Sequence, residues 1–304
     1  MKAVYYIIIF VLIGFIFAEI FYLLNSPKKI FIYREINNFL EENIFLDKSK
    51  NILFLGKMGK GYEGGENTDS IFILHIRKNK AYVIHIPRDL IIKIDDSFYK
   101  INSLYGLKKI DLLLKEVSNF SGLKVNHYIV FDIFVLKKTV DLLGGIEVDL
   151  KYPVTDAVTG YTLYPGRYKL NGEWIEFIVR SRYYPRGDFT RMENQFIIIK
   201  SLKERFKKLS TKELLNIVNI FFYSKNHFET NLNYSQIISF IKYIYKINNV
   251  EEINFDLSSN LWEDNFYLIN IDHSSKVTAY GLIPKNGAGE YSVLRKEIKK
   301  RIFK

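Results

Sequence analysis

The chain has 304 residues, 48% of them hydrophobic, and a formal net charge of +11, so it can bury one large core or two smaller ones without cross-links. It has no cysteine, which removes disulfide frameworks, thiolate metal sites and cysteine nucleophiles together. The five histidines, His75, His85, His127, His227 and His273, show no pair at the i, i+4 spacing of a helical zinc site and read as structural.

The positive balance points to an anionic partner: nucleic acid, an anionic membrane surface or a phosphorylated substrate. Residues 3–24, AVYYIIIFVLIGFIFAEIFYLL, carry a single charge, Glu19, and a helix of that length matches the thickness of a bilayer core. Tyr5, Tyr6 and Tyr22 lie near its ends, and FAEIF offers no small-residue cleavage site. The expectation is a single-pass transmembrane anchor at 3–24 behind a cytoplasmic stub at 1–2, with a polar stalk at 25–50 and the body at 51–304. Lys28, Lys29 and Arg34 outnumber Lys2 across the span, so charge alone leans toward a cytoplasmic body.

In chain order, NILFLG (51–56) reads as a buried strand ending in glycine, and KMGKGYEGGENT as a glycine-rich loop. DSIFILHIRKNKAYVIHIPRD (69–89) predicts two strands about RKNK. INSLYGLKKIDLLLKEVSNFSG (101–122) has helical spacing and a closing Gly122. VNHYIVFD predicts a strand, IFVLKKTVDLLGG a helix stopped by Gly144 and Gly145, and IEVDL another strand. Helices are predicted over 189–208, 211–222 and 234–246, strands at EEINFDL, YLINI and KVTAYGLIP, and a closing basic helix over 290–303. This alternation defines an α/β fold with a mixed central β-sheet flanked by helices on both faces, one domain on a tether.

Gly59, Gly61 and Gly64 spell GxGxxG after a strand, but a dinucleotide site needs a helix to start there, and ENTDS leads into another strand. Gly56 and Gly61 have Walker A spacing, with Tyr62 and Glu63 where Lys and Ser or Thr are required.

The stretch FIVRSRYYPRGDFTRMENQ (177–195) gathers Arg180, Arg182, Arg186 and Arg191. Guanidinium groups are costly to bring together unless an anion sits between them; a solvated basic face is the plain alternative. Arg88 in HIPRDL stands just past a strand end, where open α/β sheets bind ligands, with Asp69, Lys100 and Asn102 in neighbouring segments. Asp188 stands where it would cap a helix starting at Phe189, while Arg191 and Gln195 share one face of that helix.

With these residues in place, the chain resembles the LytR-CpsA-Psr family of cell-envelope glycopolymer transferases. NILFLG, TDS, IPRD, KIN, VDLLGGIEV, LNGEWIEFIVRSR and GDFTRMENQ follow the family's order over residues 51 to 207. The resemblance implies a membrane-anchored, single-pass, extracytoplasmic bacterial enzyme. Such an enzyme moves a glycopolymer from a polyprenyl-pyrophosphate carrier to a wall acceptor hydroxyl, commonly of peptidoglycan, through a phosphodiester. Arg88, Lys100, Arg180, Arg182, Arg191 and Gln195 would form the pyrophosphate clamp, with Asp188, Arg88 and Arg182 closest to the chemistry. Asp69 would bind magnesium or manganese. Two departures weaken that metal site: Met58 stands where the family usually has a second aspartate, and Asn67 where it often has an arginine.

Phosphoryl transfer needs positioning and charge neutralisation, which forked guanidinium groups supply. A tethered binding module and a hydrolase for lipid-linked pyrophosphate glycans remain alternatives, since both would use the same clamp. Nucleic acid is not expected as a partner, because no helix-turn-helix, RNP or zinc signature is present.

Overall fold

The computed structural model describes residues 51–78, 80–156, 159–181, 187–206, 226–233, 236, 249–272 and 275–304. The predicted anchor and stalk, the helices over 211–222 and 234–246, and Arg182, Arg186 and His273 lie outside them. Among the described residues no helix is long and apolar enough to cross a membrane.

The strands are β1 (Asn51–Lys57), β2 (Thr68–Arg77), β3 (Lys80–His85), β4 (Ile91–Ile94), β5 (Ser97–Lys100), β6 (His127–Asp132), β7 (Ile146–Leu150), β8 (Val154–Thr155), β9 (Thr162–Leu163), β10 (Gly166–Leu170), β11 (Phe228–Thr230), β12 (Asn249–Ile253), β13 (Trp262–Asn270) and β14 (Lys276–Pro284). The helices are α1 (Ser103–Gly106), α2 (Ile110–Ser121), α3 (Ile133–Leu142), α4 (Gly172–Arg180), α5 (Asp188–Phe206) and α6 (Ser292–Ile302). They fall into two compact units. Residues 51–133 and 251–304 form a split unit, and residues 134–250 form an inserted unit.

In the split unit five strands hydrogen-bond in the order β6-β1-β2-β3-β12. β1 pairs in parallel with β6 and antiparallel with β2, so the sheet is mixed as predicted. Ile52, Leu53, Phe54 and Leu55 are all buried, because a central strand covered on both faces reads as a continuous apolar run rather than an alternating one. The β2–β3 hairpin forms as read, turning at Lys78, whose φ is 52°. Gly122 caps α2 in the left-handed conformation at φ 69°, a geometry that costs glycine nothing.

The reading of 101–122 as one helix is corrected to two. The chain turns at Leu107–Lys109, where Lys108 adopts φ 57° and the Lys109 N–H donates to Leu104 O at 2.8 Å. A second hairpin, β4–β5, turns at Asp95 with φ 52°; its four-residue strands are too short to show a period. The glycine loop closes on itself, with the Gly59 N–H donating to Gly65 O at 2.7 Å, and runs into β2 without a helix.

In the inserted unit β7 alternates buried and exposed residues and pairs with β10, while α5 packs on it. Asn171 caps α4, its side chain accepting the Trp174 N–H at 3.1 Å. The Gly172 N–H donates to Asp141 Oδ1 of α3 at 2.7 Å, so α3 and α4 meet at backbone distance. A Cβ on Gly172 would stand 2.6 Å from Lys137 O and 2.9 Å from its Cα. Gly172→Ala is therefore expected to destabilise the protein by about 1–3 kcal/mol through forced separation of the two helices, measured by urea unfolding.

Candidate functional site

The first group of predicted residues belongs to the split unit, and Pro87 shapes it. The β2–β3 ladder extends one pair beyond β3, the Ile86 N–H donating to Ile71 O at 3.0 Å, and then Pro87, lacking an N–H, ends it. The chain turns there, with the Leu90 N–H donating to Pro87 O at 3.1 Å. Backbone bonds from Leu282 to Asp89 O at 2.9 Å and from Ile101 to Leu90 O at 2.8 Å hold the turn. Because β2 and β3 are antiparallel, this turn delivers Arg88 to the start of β2, where Asp69 stands. Arg88 Nη1 donates to Asp69 Oδ1 at 2.5 Å. Lys100 Nζ, at the end of β5, donates to Asp89 Oδ1 at 2.5 Å, and Arg88 Nε lies 3.6 Å from Asp89 Oδ2.

All four side chains are at most one-fifth exposed. Two cations and two carboxylates sum to zero, which lets them share a poorly hydrated place at little electrostatic cost. Asp89, which sequence reading did not single out, is the bridge between Arg88 and Lys100.

The second group belongs to the inserted unit and is neutralised in the same way. Glu176 of α4, 6% exposed, accepts from Lys137 of α3 and from Arg180 Nη1 at 3.1 Å. Lys137 also reaches Glu173 at 2.8 Å. Burial alone would lower the Lys137 ammonium's pKa, but hydrogen bonds and charge from Glu173 and Glu176 outweigh burial and hold it above its ordinary value. Arg180 itself is half exposed at the helix end.

On α5, Asp188 was expected to cap a helix starting at Phe189. The Arg191 N–H instead bonds Gly187 O, so Gly187, at φ 55°, is the cap and Asp188 is the first helical residue. Its carboxylate is thereby turned to the Arg191 guanidinium, an ion pair in which the arginine side chain is 2% exposed. Gln195 lies one turn beyond Arg191, half-buried. Thr190 and Asn194 are fully buried on the same two turns, and their side-chain polar atoms have no hydrogen-bond partner among the described residues. Such orphans are uncommon and mark a place for water or for polar atoms of a ligand. The sequence offered one signal for them, two polar residues four apart beside Arg191.

Asp69, Arg88 and Lys100 are thus brought together in the split unit, and Asp188 with Arg191 in the inserted unit. Arg180 joins Glu176 and Lys137.

No group of three histidine or carboxylate side chains placed to hold an ion occurs among the described residues. Asp69 is engaged by Arg88, Glu66 is bonded by Lys57 Nζ at 2.6 Å, and the Met58 thioether is a poor ligand for a hard cation.

Fold and charged centres define a mixed α/β protein with arginine–carboxylate groups at its strand and helix ends. The chain belongs to the LytR-CpsA-Psr family: the model of the LytR_cpsA_psr family matches residues 33–280. It is similar to an Enterococcus faecalis protein named polyisoprenyl-teichoic acid–peptidoglycan teichoic acid transferase TagU, 26% identical over 60% of each chain. A Bacillus anthracis (strain CDC 684 / NRRL 3495) relative of the same name is 25% identical over 79% of this chain and 80% of its own. Among solved structures, B. subtilis TagV shares the fold with a TM-score of 0.59 at 21% identity, covering 85% of this chain and 99% of that one.

Lys137→Met is expected to destabilise the protein by about 2 kcal/mol, because it leaves a buried carboxylate short of a charged donor. A raised lysine pKa adds stability that is fully present below 10.5 and is lost as pH rises beyond it. The gap between wild type and variant in denaturant midpoint should therefore be constant at neutral pH and close above about pH 10.5.

Proposed function

We propose that the protein is a membrane-anchored glycopolymer transferase of the cell envelope. Its substrate would be a glycan on a polyprenyl-pyrophosphate carrier, and its acceptor a cell-wall hydroxyl, probed first with peptidoglycan. Residues 3–24 would span the membrane with the amino terminus cytoplasmic and residues 25–304 outside. The observation that carries the reading is that Arg88, Arg180 and Arg191 each stand at the end of a strand or the end of a helix against a carboxylate of their own unit. Guanidinium groups held in this way keep donors and direction for a pyrophosphate without being left as uncompensated charge.

In the reaction an acceptor oxygen bonds to the phosphorus carrying the glycan, and the bond from that phosphorus to the bridging oxygen breaks. Polyprenyl phosphate leaves with the electron pair, and the acceptor's proton passes to it or to a nearby base. Charge accumulates on the phosphate oxygens, where Arg88, Arg180, Arg182 and Arg191 would neutralise it, with Lys100 and Gln195 adding donors. Asp188, paired with Arg191, would orient that guanidinium or help to take the acceptor's proton. Magnesium or manganese belongs to this proposal as an ion carried in with the pyrophosphate, for which Asp69 would be the protein's oxygen ligand.

Incubating the full chain with a polyprenyl-pyrophosphate glycan and a peptidoglycan oligomer, with and without magnesium, should give a phosphodiester-linked product by mass spectrometry. Released glycan phosphate in its place would mean hydrolysis, and unchanged but retained substrate a binding module. Arg182→Lys should lose about tenfold or more in turnover, because a point charge cannot replace a bidentate fork. Arg186→Lys, which matches no family position, should stay close to wild type. Equal losses at both would favour a general basic face.

A further inference from the structure

The two neutral groups described above do not contain the chain's excess of 11 positive charges, and α6 shows where part of it is concentrated. Its apolar stripe, Leu294, Ile298 and Ile302, is at most 1% exposed, which forces its cations to the other faces. Arg295, Lys296, Lys299, Lys300 and Arg301 stand there with Glu297 as the sole acid of the helix. Three of the five have a partner: Arg301 lies over the Phe255 ring at 4.9 Å, Lys300 lies 3.9 Å from Glu297, and Arg295 lies 3.9 Å from Glu290.

Arg295, Lys296 and Lys299 line a cleft of about 620 Å³ with Ser292 and Gly122, the turn that ends α2. Lys296 and Lys299 have no carboxylate within 4.0 Å among the described residues. The Glu290 carboxylate beside Arg295 also accepts the Ser292 N–H at 2.9 Å. The stem of Arg295 crosses the turn where a side chain on Gly122 would meet its Cδ at 3.1 Å.

We propose that this cleft is a second anion site, which takes the phosphodiester groups of a polyanionic polymer. Two lysines without a carboxylate partner among the described residues line one concavity beside an arginine paired loosely with Glu290, an arrangement suited to phosphate oxygens. A membrane surface suits it less well, since a helix that lies on lipid turns its apolar face outward and that of α6 is buried in the core. The proposal deepens the transferase reading and rests on it for the nature of the polymer. It gives the enzyme a hold on the chain of its substrate through elements other than those bearing the arginine–carboxylate groups.

The test uses the full chain in a zwitterionic detergent, with linear inorganic polyphosphate as probe and fluorescence anisotropy as readout. Lys296→Gln with Lys299→Gln should weaken binding about tenfold or more at low salt. It should also flatten the slope of log affinity against log salt by about 1.4, two phosphate contacts' worth. Lys276→Gln with Lys300→Gln, an equal charge change outside the cleft, should cost less than about twofold in affinity. Both double variants should melt as the wild type does and transfer a short lipid-linked glycan at its rate. Equal losses in the two variants would overturn the proposal in favour of a diffuse basic surface. So would a cleft variant that loses phosphatidylglycerol vesicles but keeps polyphosphate, since that assigns the cleft to lipid. Binding is read without any transfer reaction. A wild type that makes no phosphodiester product, together with a cleft variant that loses polyphosphate, would therefore sink the transferase reading and leave the anion site standing.

Discussion

The arginine–carboxylate pair is the interaction on which the rest depends. A guanidinium cannot lose its charge at any physiological pH, so placing one where water is scarce requires a fixed anion beside it. Arg191 is the extreme case, and Asp188 one turn back is what allows its burial. Arg88 is the same solution in a sheet, where Pro87 stops a strand so that the turn meets Asp69. Each unit carries its own version, and in each the charges of the main cluster cancel.

This neutrality changes how the sequence is understood. FIVRSRYYPRGDFTRMENQ reads as a block of unbalanced charge because the carboxylates that offset it are either outside the block or assigned other work. Glu176 lies one residue before the stretch, buried against Lys137 of α3. Asp188 reads as a cap because its type favours that position, and the glycine before it took the role. Asp89 was hidden beside Arg88 because nothing in the order of residues shows that β5 returns Lys100 to it.

Other features were legible because they depend on local chemistry. The β2–β3 hairpin, the left-handed Gly122, the helix stopping before Gly144 and Gly145, and the alternation of IEVDL all follow from period and glycine geometry. The GxGxxG of the glycine loop was rightly set aside, since the chain passes from it into β2. The break within 101–122 was not legible, because LeuLysLys continues the helical period and the left-handed turn at Lys108 uses a residue with no preference for it. The orphaned Thr190 and Asn194 were missed for a different reason: burial of a polar residue is decided by packing that no single segment encodes.

Arginines held ready for a pyrophosphate should bind geranyl pyrophosphate, which calorimetric titration measures. The wild-type chain should bind it, and Arg88→Lys should bind it about tenfold or more weakly with its melting temperature unchanged. Equal affinity in the two proteins, or no binding by the wild type, would contradict the claim.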